Sequence, residues 1–475
     1  MLIRGTFLMI IGQVSFMLSA FAINFGLARL LGPVNYGTFG LVMSILVAIE
    51  RLVVTGIPEM MQKFGGERPE NMYLLKKKMF PRQLFYTVII FSVFWLVTPL
   101  ISKFFGDDAL TLYLHIASFD IIFYGLYKFY LGMQNGLHRF NHHAFMAITY
   151  SVSKVCAVFA LVLTGLSLTG ALIGNALGSV GGLILGIIIT RLPRVEGTWK
   201  HIPYVEFIIP NILYFLGLFL FFCIDLWFVK YFLDKLEVGY YVSASALAKV
   251  PYFTSIALSA ALLPSVSFAS KKQDRQRVHA LVQQSLRYIF MGLMIVNILF
   301  ITMPSILIHI VFGAEYSGAA EVLPILGIGL SFLTFFAVMN TILMARNRMK
   351  TIFIITFCVI IIDVVCNSML VPRYHLTGAA VSTTIAAVIG TLLSGINIFW
   401  DLKIILPFLS FLRISGVAAV IFILSLFIPE QGIWIVIKLL IVPAVYFLLL
   451  WVIGELTEID FRRLKEIMPV KTLNN

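Results

Sequence analysis

Charge is the first thing this sequence is short of. Only 12% of its 475 residues are Asp, Glu, Lys or Arg, about half the usual quarter of a soluble domain. With 60% hydrophobic residues and a mean hydropathy of +0.99, no water-soluble fold could bury its apolar surface. Cysteine is scarce too. Cys156, Cys223, Cys358 and Cys366 are the full complement, with no C-x-x-C pair, which excludes a disulfide framework or a zinc ribbon. No N-x-S/T sequon occurs, and no D-x-D, an acidic pattern suited to holding a metal-bound sugar nucleotide. The short alternating segments of a membrane β-barrel are also missing.

What is present is a series of apolar runs of about 20 residues, each long enough to cross a bilayer as a helix. Fourteen spans are expected, near 6–29, 38–57, 83–101, 109–134, 144–164, 168–190, 205–229, 238–264, 288–310, 320–345, 351–371, 376–400, 404–428 and 432–453. The first is too long for a cleaved signal peptide, and no small-residue cleavage site follows it. The expected class is all-α integral membrane. The net charge of +13 has a topological pattern: 24 of the 35 Lys and Arg fall in loops on one side, five on the other. By the positive-inside rule both termini face the cytoplasm. Nucleic acid is not an expected partner.

"LTGALIGNALGSVGGLILG" (168–186) and "LTGAAVSTTIAAVIGTLLS" (376–394) share Leu-Thr-Gly-Ala at an offset of 208. The first places Gly170, Gly174, Gly178, Gly182 and Gly186 one every four residues. The second places Gly378, Ser382, Ala386, Gly390 and Ser394 in the same register. Such stripes leave a helix face bare for close packing. "ARLLGPVNYGTFG" (28–40) matches "VKYFLDKLEVGYYVS" (229–243), and "FFGDDA" (104–109) matches "VFGAEY" (311–316). Spans 1–6 and 7–12 therefore read as a parallel repeat. The expected division is 1–200 and 201–402 for two six-helix bundles, with spans 13–14 and an amphipathic cytoplasmic tail in 403–475. Two such bundles around a central cavity suit a transporter that rocks one half against the other.

The run "LARLLGPVNYGTFGLV" followed by "TGIPEMMQKFGG" resembles the opening of prokaryotic polysaccharide-export flippases. The seventh span with its late Asp225, "LPSVSFASKKQDRQR", and "LTGAA" after "VPRYH" resemble the second half of the same proteins. These are the O-antigen and lipid-linked oligosaccharide flippases of the multidrug/oligosaccharidyl-lipid/polysaccharide exporter superfamily. The resemblance covers about residues 1–400. It implies movement of a polyprenyl-(pyro)phosphate-linked glycan from the cytoplasmic to the outer leaflet of a prokaryotic plasma membrane. No cofactor is implied. The substrate lipid and membrane lipids are the implied partners, with a polysaccharide polymerase or glycosyltransferases as further candidates.

Charges inside spans face a cavity or a partner. Lys154, Lys249 and Arg51 are candidate ligands for substrate phosphate. Asp120, Asp363 and Glu50 are candidates for ion coupling or charge balance. Lys154 plus 208 is Ile362, beside Asp363, so the copies carry opposite charges at nearly one depth. Glu50 and Arg51 point about 100° apart on a helix, so at most one faces a ligand squarely. Arg51 has snorkelling to the headgroups as its plain alternative. Lys128 reads as a snorkeller, Asp225 as a solvated or capping residue, and Tyr124, Tyr127 and Tyr130 as an interfacial belt. His138 and His142 lack further ligands, so no metal site is expected. A drug or cation antiporter of the same superfamily is the alternative transporter, and a membrane glycosyltransferase or glycan ligase the alternative of another class. External loops of about ten residues or fewer argue against the enzyme.

Overall fold

A computed structural model describes residues 2–197, 212, 215–346, 348–403 and 407–457. The described residues are helical, with no strand among them. Part of the expected seventh span and the tail from 458 onward, where an amphipathic helix was expected, lie outside them. Nine described helices are long and apolar enough to cross a membrane, or ten if Phe215–Phe221 and Ile224–Phe232 form one bent span. Three of these, Ile11–Glu67, Phe140–Ile189 and Met349–Leu402, run to 57, 50 and 54 residues. At 1.5 Å per residue each exceeds twice the hydrocarbon thickness of about 30 Å. The expected fourteen spans thus compare with nine or ten helices, three of them long enough to cross twice.

Each of the three long helices is broken where two crossings would meet. The first, α1 (Leu2–Val54), breaks at Gly32 (φ 70°), just before Pro33. A short helix, α2 (Ile57–Glu67), follows it, then α3 (Met72–Phe104) and α4 (Ala109–Gly136). The second break separates α5 (Phe140–Leu161) from α6 (Ser167–Ile189), with Ser167 at φ 46°, ψ −130°. The third lies at His375, φ 52°, ψ −131°. Residues 167 and 375 are 208 apart, the offset of the sequence repeat, and share one backbone conformation.

The chain divides into two compact units. The first comprises Met1–Ser243, Val311–Tyr316 and Ile360–Ala379. Its centre is α5 lying in the bare face of α6. A Cβ on Gly174 would stand 2.5 Å from Val158 Cα, and one on Gly178 2.5 Å from Lys154 Cβ. At Gly170 the obstacle is Leu161, at Gly182 Tyr127, and at Gly186 Met146 and Tyr130. The stretch after the second span is helical. Ile57, Met60 and Met61 share one helical face, and α2 buries it in a methionine-rich cluster with Met72, Met79 and Met133. Close contact is possible because α4 offers Gly132 and Gly136, where a Cβ would meet the Pro58 and Met61 carbonyl oxygens at 2.3 and 2.5 Å.

The segments matched as repeat equivalents touch one another in this unit. A Cβ on Gly239 would come within 2.1 Å of the Pro33 carbonyl oxygen, and one on Gly37 within 2.6 Å of Gly239 N. Tyr316 Oη donates to Ala28 O at 2.7 Å and Arg29 Nε to Val311 O at 3.2 Å. Beside them Asp107 accepts from Lys230 and Lys235 at 3.0 and 2.9 Å. Burial alone would raise the Asp107 carboxyl, but the Lys235 and Lys230 ammonium groups outweigh it and hold it below the ordinary carboxylate range.

The second unit comprises Ala244–Ile310, Ser317–Val359 and Ala380–Asn475. Its helices include α9 (Val250–Lys271), α10 (Arg275–Thr302), α12 (Leu323–Ala345), α14 (Phe408–Leu426) and α15 (Ile433–Val452). Preceding α9 are α7 (Ile224–Phe232) and α8 (Lys235–Ala248), which belong to the first unit as far as Ser243, and α11 (Pro304–Val311) and α13 (Met349–Leu402) flank α12. The last two helices pack on α10 through Ile414, Ile421 and Tyr446, whose hydroxyl donates to Met291 O at 3.0 Å. Lys438, only 1% exposed, donates to Glu430 and to Thr302 O, both at 3.0 Å. It thereby satisfies a carbonyl at the end of α10 that has no partner within its own helix. Gly390 of the second stripe packs against Val359 and Phe336, and Ser394 Oγ donates to Asn340 Oδ1 at 3.0 Å.

Candidate functional site

The first unit gathers polar and ionisable side chains from five helices, α2 supplying Glu59 and Gln62. Late in α1 stand Glu50 and Arg51. On α4, Asp120, Tyr124, Tyr127, Lys128 and Leu131 follow at helical spacing along one stripe. α5 contributes His143, Tyr150 and Lys154, and α6 contributes Asn175 and Ser179. The 100° step between Glu50 and Arg51 sends them to different places.

Arg51 lines a cavity of about 260 Å³ together with Thr55, Glu59, Gln62, Lys128, Asn135 and His143. Its guanidinium carbon sits 5.3 Å from the centre of the Phe219 ring. Lys128 lies over Tyr124 and Tyr127, 5.1 and 5.7 Å from their ring centres. Such aromatic faces hold a cation without neutralising it. Two cations and two side-chain amides thus converge on one space, with the Thr55 hydroxyl donating to Arg51 O at 2.6 Å and Glu59 the one carboxyl among the described lining residues.

Glu50 turns away from this space toward Asp120. The two carboxyls are 5% and 2% exposed and meet side chain to side chain, with Lys154 the nearest ammonium. Asn175 Nδ2 donates to Asp120 Oδ2. Glu50 Oε1 and Asp120 Oδ1 have no hydrogen-bond partner among the described residues. Lys154 Nζ lies 3.5 Å from Tyr150 Oη, and the Tyr150 ring stacks on Tyr127 at 4.9 Å. A ladder of aromatic faces therefore runs from Lys128 in the cavity to Lys154 at the acid pair.

The expected candidates are thus distributed as follows. Arg51 is in the cavity wall, while Lys154, Glu50 and Asp120 are together behind it. Asp363 is elsewhere in the same unit, fully buried, accepting from Asn367 Nδ2 at 2.9 Å, with Oδ2 unpartnered. Asp225 is not a solvated end residue. It is 3% exposed and accepts from Tyr241 Oη at 2.6 Å. Lys249 belongs to the second unit, at the junction between α8 and α9, where Pro251 follows. Tyr127 and Tyr130 are buried at 2% and 5% rather than forming an interfacial belt, because the glycines of α6 leave room for their rings.

Several residues of the cavity were not legible beforehand. Lys128 stands two helical turns from Asp120, a spacing that could have placed it on the same face. Glu59 and Gln62 lie just past the second apolar run, and the helical spacing of Ile57, Met60 and Met61 was the available signal for them.

A family model described as polysaccharide biosynthesis protein matches residues 26–321. An uncharacterized membrane protein of Methanocaldococcus jannaschii is 24% identical over 393 residues, covering 78% of this chain and 91% of that protein. A probable low-salt glycan biosynthesis flippase, Agl15 of Haloferax volcanii, is 22% identical over 370 residues, 77% of each chain. The fold is similar to that of the lipid II flippase MurJ in an inward closed conformation. The TM-score is 0.76 at 17% identity, over 94% of this chain and 99% of that one.

Proposed function

Because the chain belongs to the polysaccharide biosynthesis protein family, we propose that it is a flippase. It carries a polyprenyl-(pyro)phosphate-linked oligosaccharide from the cytoplasmic to the outer leaflet of a prokaryotic plasma membrane, by alternating access. The observation that carries this reading is the cavity where Arg51 and Lys128 converge with the side-chain amides of Gln62 and Asn135. A phosphate entering a low-dielectric region needs fixed cations and hydrogen-bond donors in place of water. At about 260 Å³ the space suits a charged headgroup with its first sugar and leaves a longer glycan outside. Lys154 acts on the acid pair in this reading, and reaches the headgroup only through it. Lys249 is proposed as a further cation for the phosphate on the strength of its charge and depth in the sequence.

The basic loops orient the protein with both termini cytoplasmic. The expected partners remain the lipid-linked substrate and bilayer lipids, with a polymerase or glycosyltransferases supplying or consuming the glycan. The decisive experiment is flipping of a fluorescent prenyl-phosphate-linked sugar in vesicles containing the purified protein. Arg51→Ala and Lys128→Ala should each reduce the rate by at least about tenfold, a loss of roughly 1.4 kcal/mol. Normal flipping by both variants would overturn the assignment.

A further inference from the structure

Glu50 and Asp120 raise a question that headgroup binding alone does not answer. Two carboxyls and one ammonium, Lys154, leave one negative charge unbalanced in a buried place if all three are ionised. Adjacent buried carboxylates do not both keep their charge unless a cation compensates. Among the described residues the groups facing the pair are few. Arg51 and Glu50 come from α1, Tyr124 and Lys128 from α4, Tyr150 and Lys154 from α5, and Asn175 and Ser179 from α6. Among them only Arg51 and Lys128 offer the missing charge, and both also line the cavity. The orphaned oxygens Glu50 Oε1 and Asp120 Oδ1 mark where a further hydrogen belongs.

We propose that Glu50 and Asp120 form a proton-binding site that takes up one proton from the surrounding water when an anionic headgroup occupies the cavity. The inference rests on the headgroup reading above. With the cavity empty, the nearby Arg51 and Lys128 charges balance the second carboxylate. An entering phosphate claims those cations, and the pair then shares one proton, an O–H of one carboxyl donating to the other carboxylate. By linkage, proton binding and headgroup binding strengthen each other equally. Above the titration of the empty pair, affinity for the headgroup should fall up to about tenfold per pH unit.

The test uses the full-length protein in detergent and geranylgeranyl phosphoryl glucose, a phosphodiester whose own charge does not titrate near neutrality. Calorimetric titration in buffers of different ionisation enthalpy gives the protons taken up per molecule bound. About one is expected for the wild type and none for Glu50→Gln or Asp120→Asn. Either isosteric variant suffices if the other fails to fold. Binding without proton uptake overturns the inference and leaves the headgroup reading intact. Absence of binding overturns the headgroup reading and the coupling with it. Uptake that disappears in Glu59→Gln or His143→Gln but persists in Glu50→Gln and Asp120→Asn assigns the proton to the cavity wall and also overturns the inference. In the ligand-bound wild type, infrared spectra should show a protonated-carboxyl band that both pair variants remove. A spectrum unchanged by them refutes the shared proton.

Discussion

Lys154 is held at both ends of its side chain. Its Cβ presses into the space that Gly178 leaves open, and its ammonium faces Asp120 and Glu50. Removing the ammonium strands two buried carboxyls, so Lys154→Ala should destabilise the protein. Loss of one partner of a fully buried pair costs about 3–5 kcal/mol, and half-buried Lys154 should cost less, about 2 kcal/mol. A thermal unfolding series in detergent checks this. Adding Glu50→Gln to Lys154→Ala should restore part of the loss, whereas a purely steric role would give no recovery. The opposite behaviour is expected at Arg51. Arg51→Lys should leave stability unchanged and weaken transport, because an ammonium lacks the guanidinium fork for phosphate oxygens.

Helix contacts follow a different logic, in which what matters is the atom that an added methyl would meet. On α6 a Cβ at Gly174 strikes the backbone of Val158, which cannot turn aside, whereas at Gly182 it strikes the Tyr127 ring, which can. Gly174→Ala should therefore destabilise more than Gly182→Ala, with overpacking costing about 1–3 kcal/mol. Gly416, with nothing near its Cβ position, should gain up to about 1 kcal/mol as alanine; unfolding midpoints rank the three. The Asp107 junction adds a pH dependence. Its carboxyl lies below the ordinary range in the folded chain. Its contribution is therefore present above the unfolded value of about 3.9 and fades as pH falls through the lower folded one. The stability difference between wild type and Asp107→Asn should be constant from about pH 7 to about pH 5 and shrink below about pH 4. The glycine stripe was legible in the sequence because small residues at a period of four have no other common cause. The identity of their neighbours was not, since Val158, Lys154 and Tyr127 come from two helices and only folding selects which faces meet.

For the molecule as a whole, the offset of 208 was the most legible feature. It aligns Leu-Thr-Gly-Ala in the sequence, and it also relates Ser167 to His375, which share one backbone conformation at a helix break. The cavity was far less so. Arg51, Glu59, Lys128 and His143 are separated by as much as 92 residues, and no local pattern joins them. Sidedness belongs to this scale as well. Cysteines introduced in 58–82 and 265–287 should react with an impermeant maleimide only from the cytoplasmic side, and labelling from outside would reverse the direction of transport.

The contact between Gly37 and Gly239 has a practical meaning for work on the transport cycle. Backbone meets backbone there, with less space than one methyl group needs. A side chain at position 239 therefore acts as a wedge that penalises this one arrangement and no arrangement in which the two segments stand apart. Gly239→Val should shift the protein toward such a parted state without touching the cavity. That makes one substitution a conformational trap, and a fluorophore pair on the exposed neighbours Val34 and Leu236 a gauge of how often the protein visits the same state unaided.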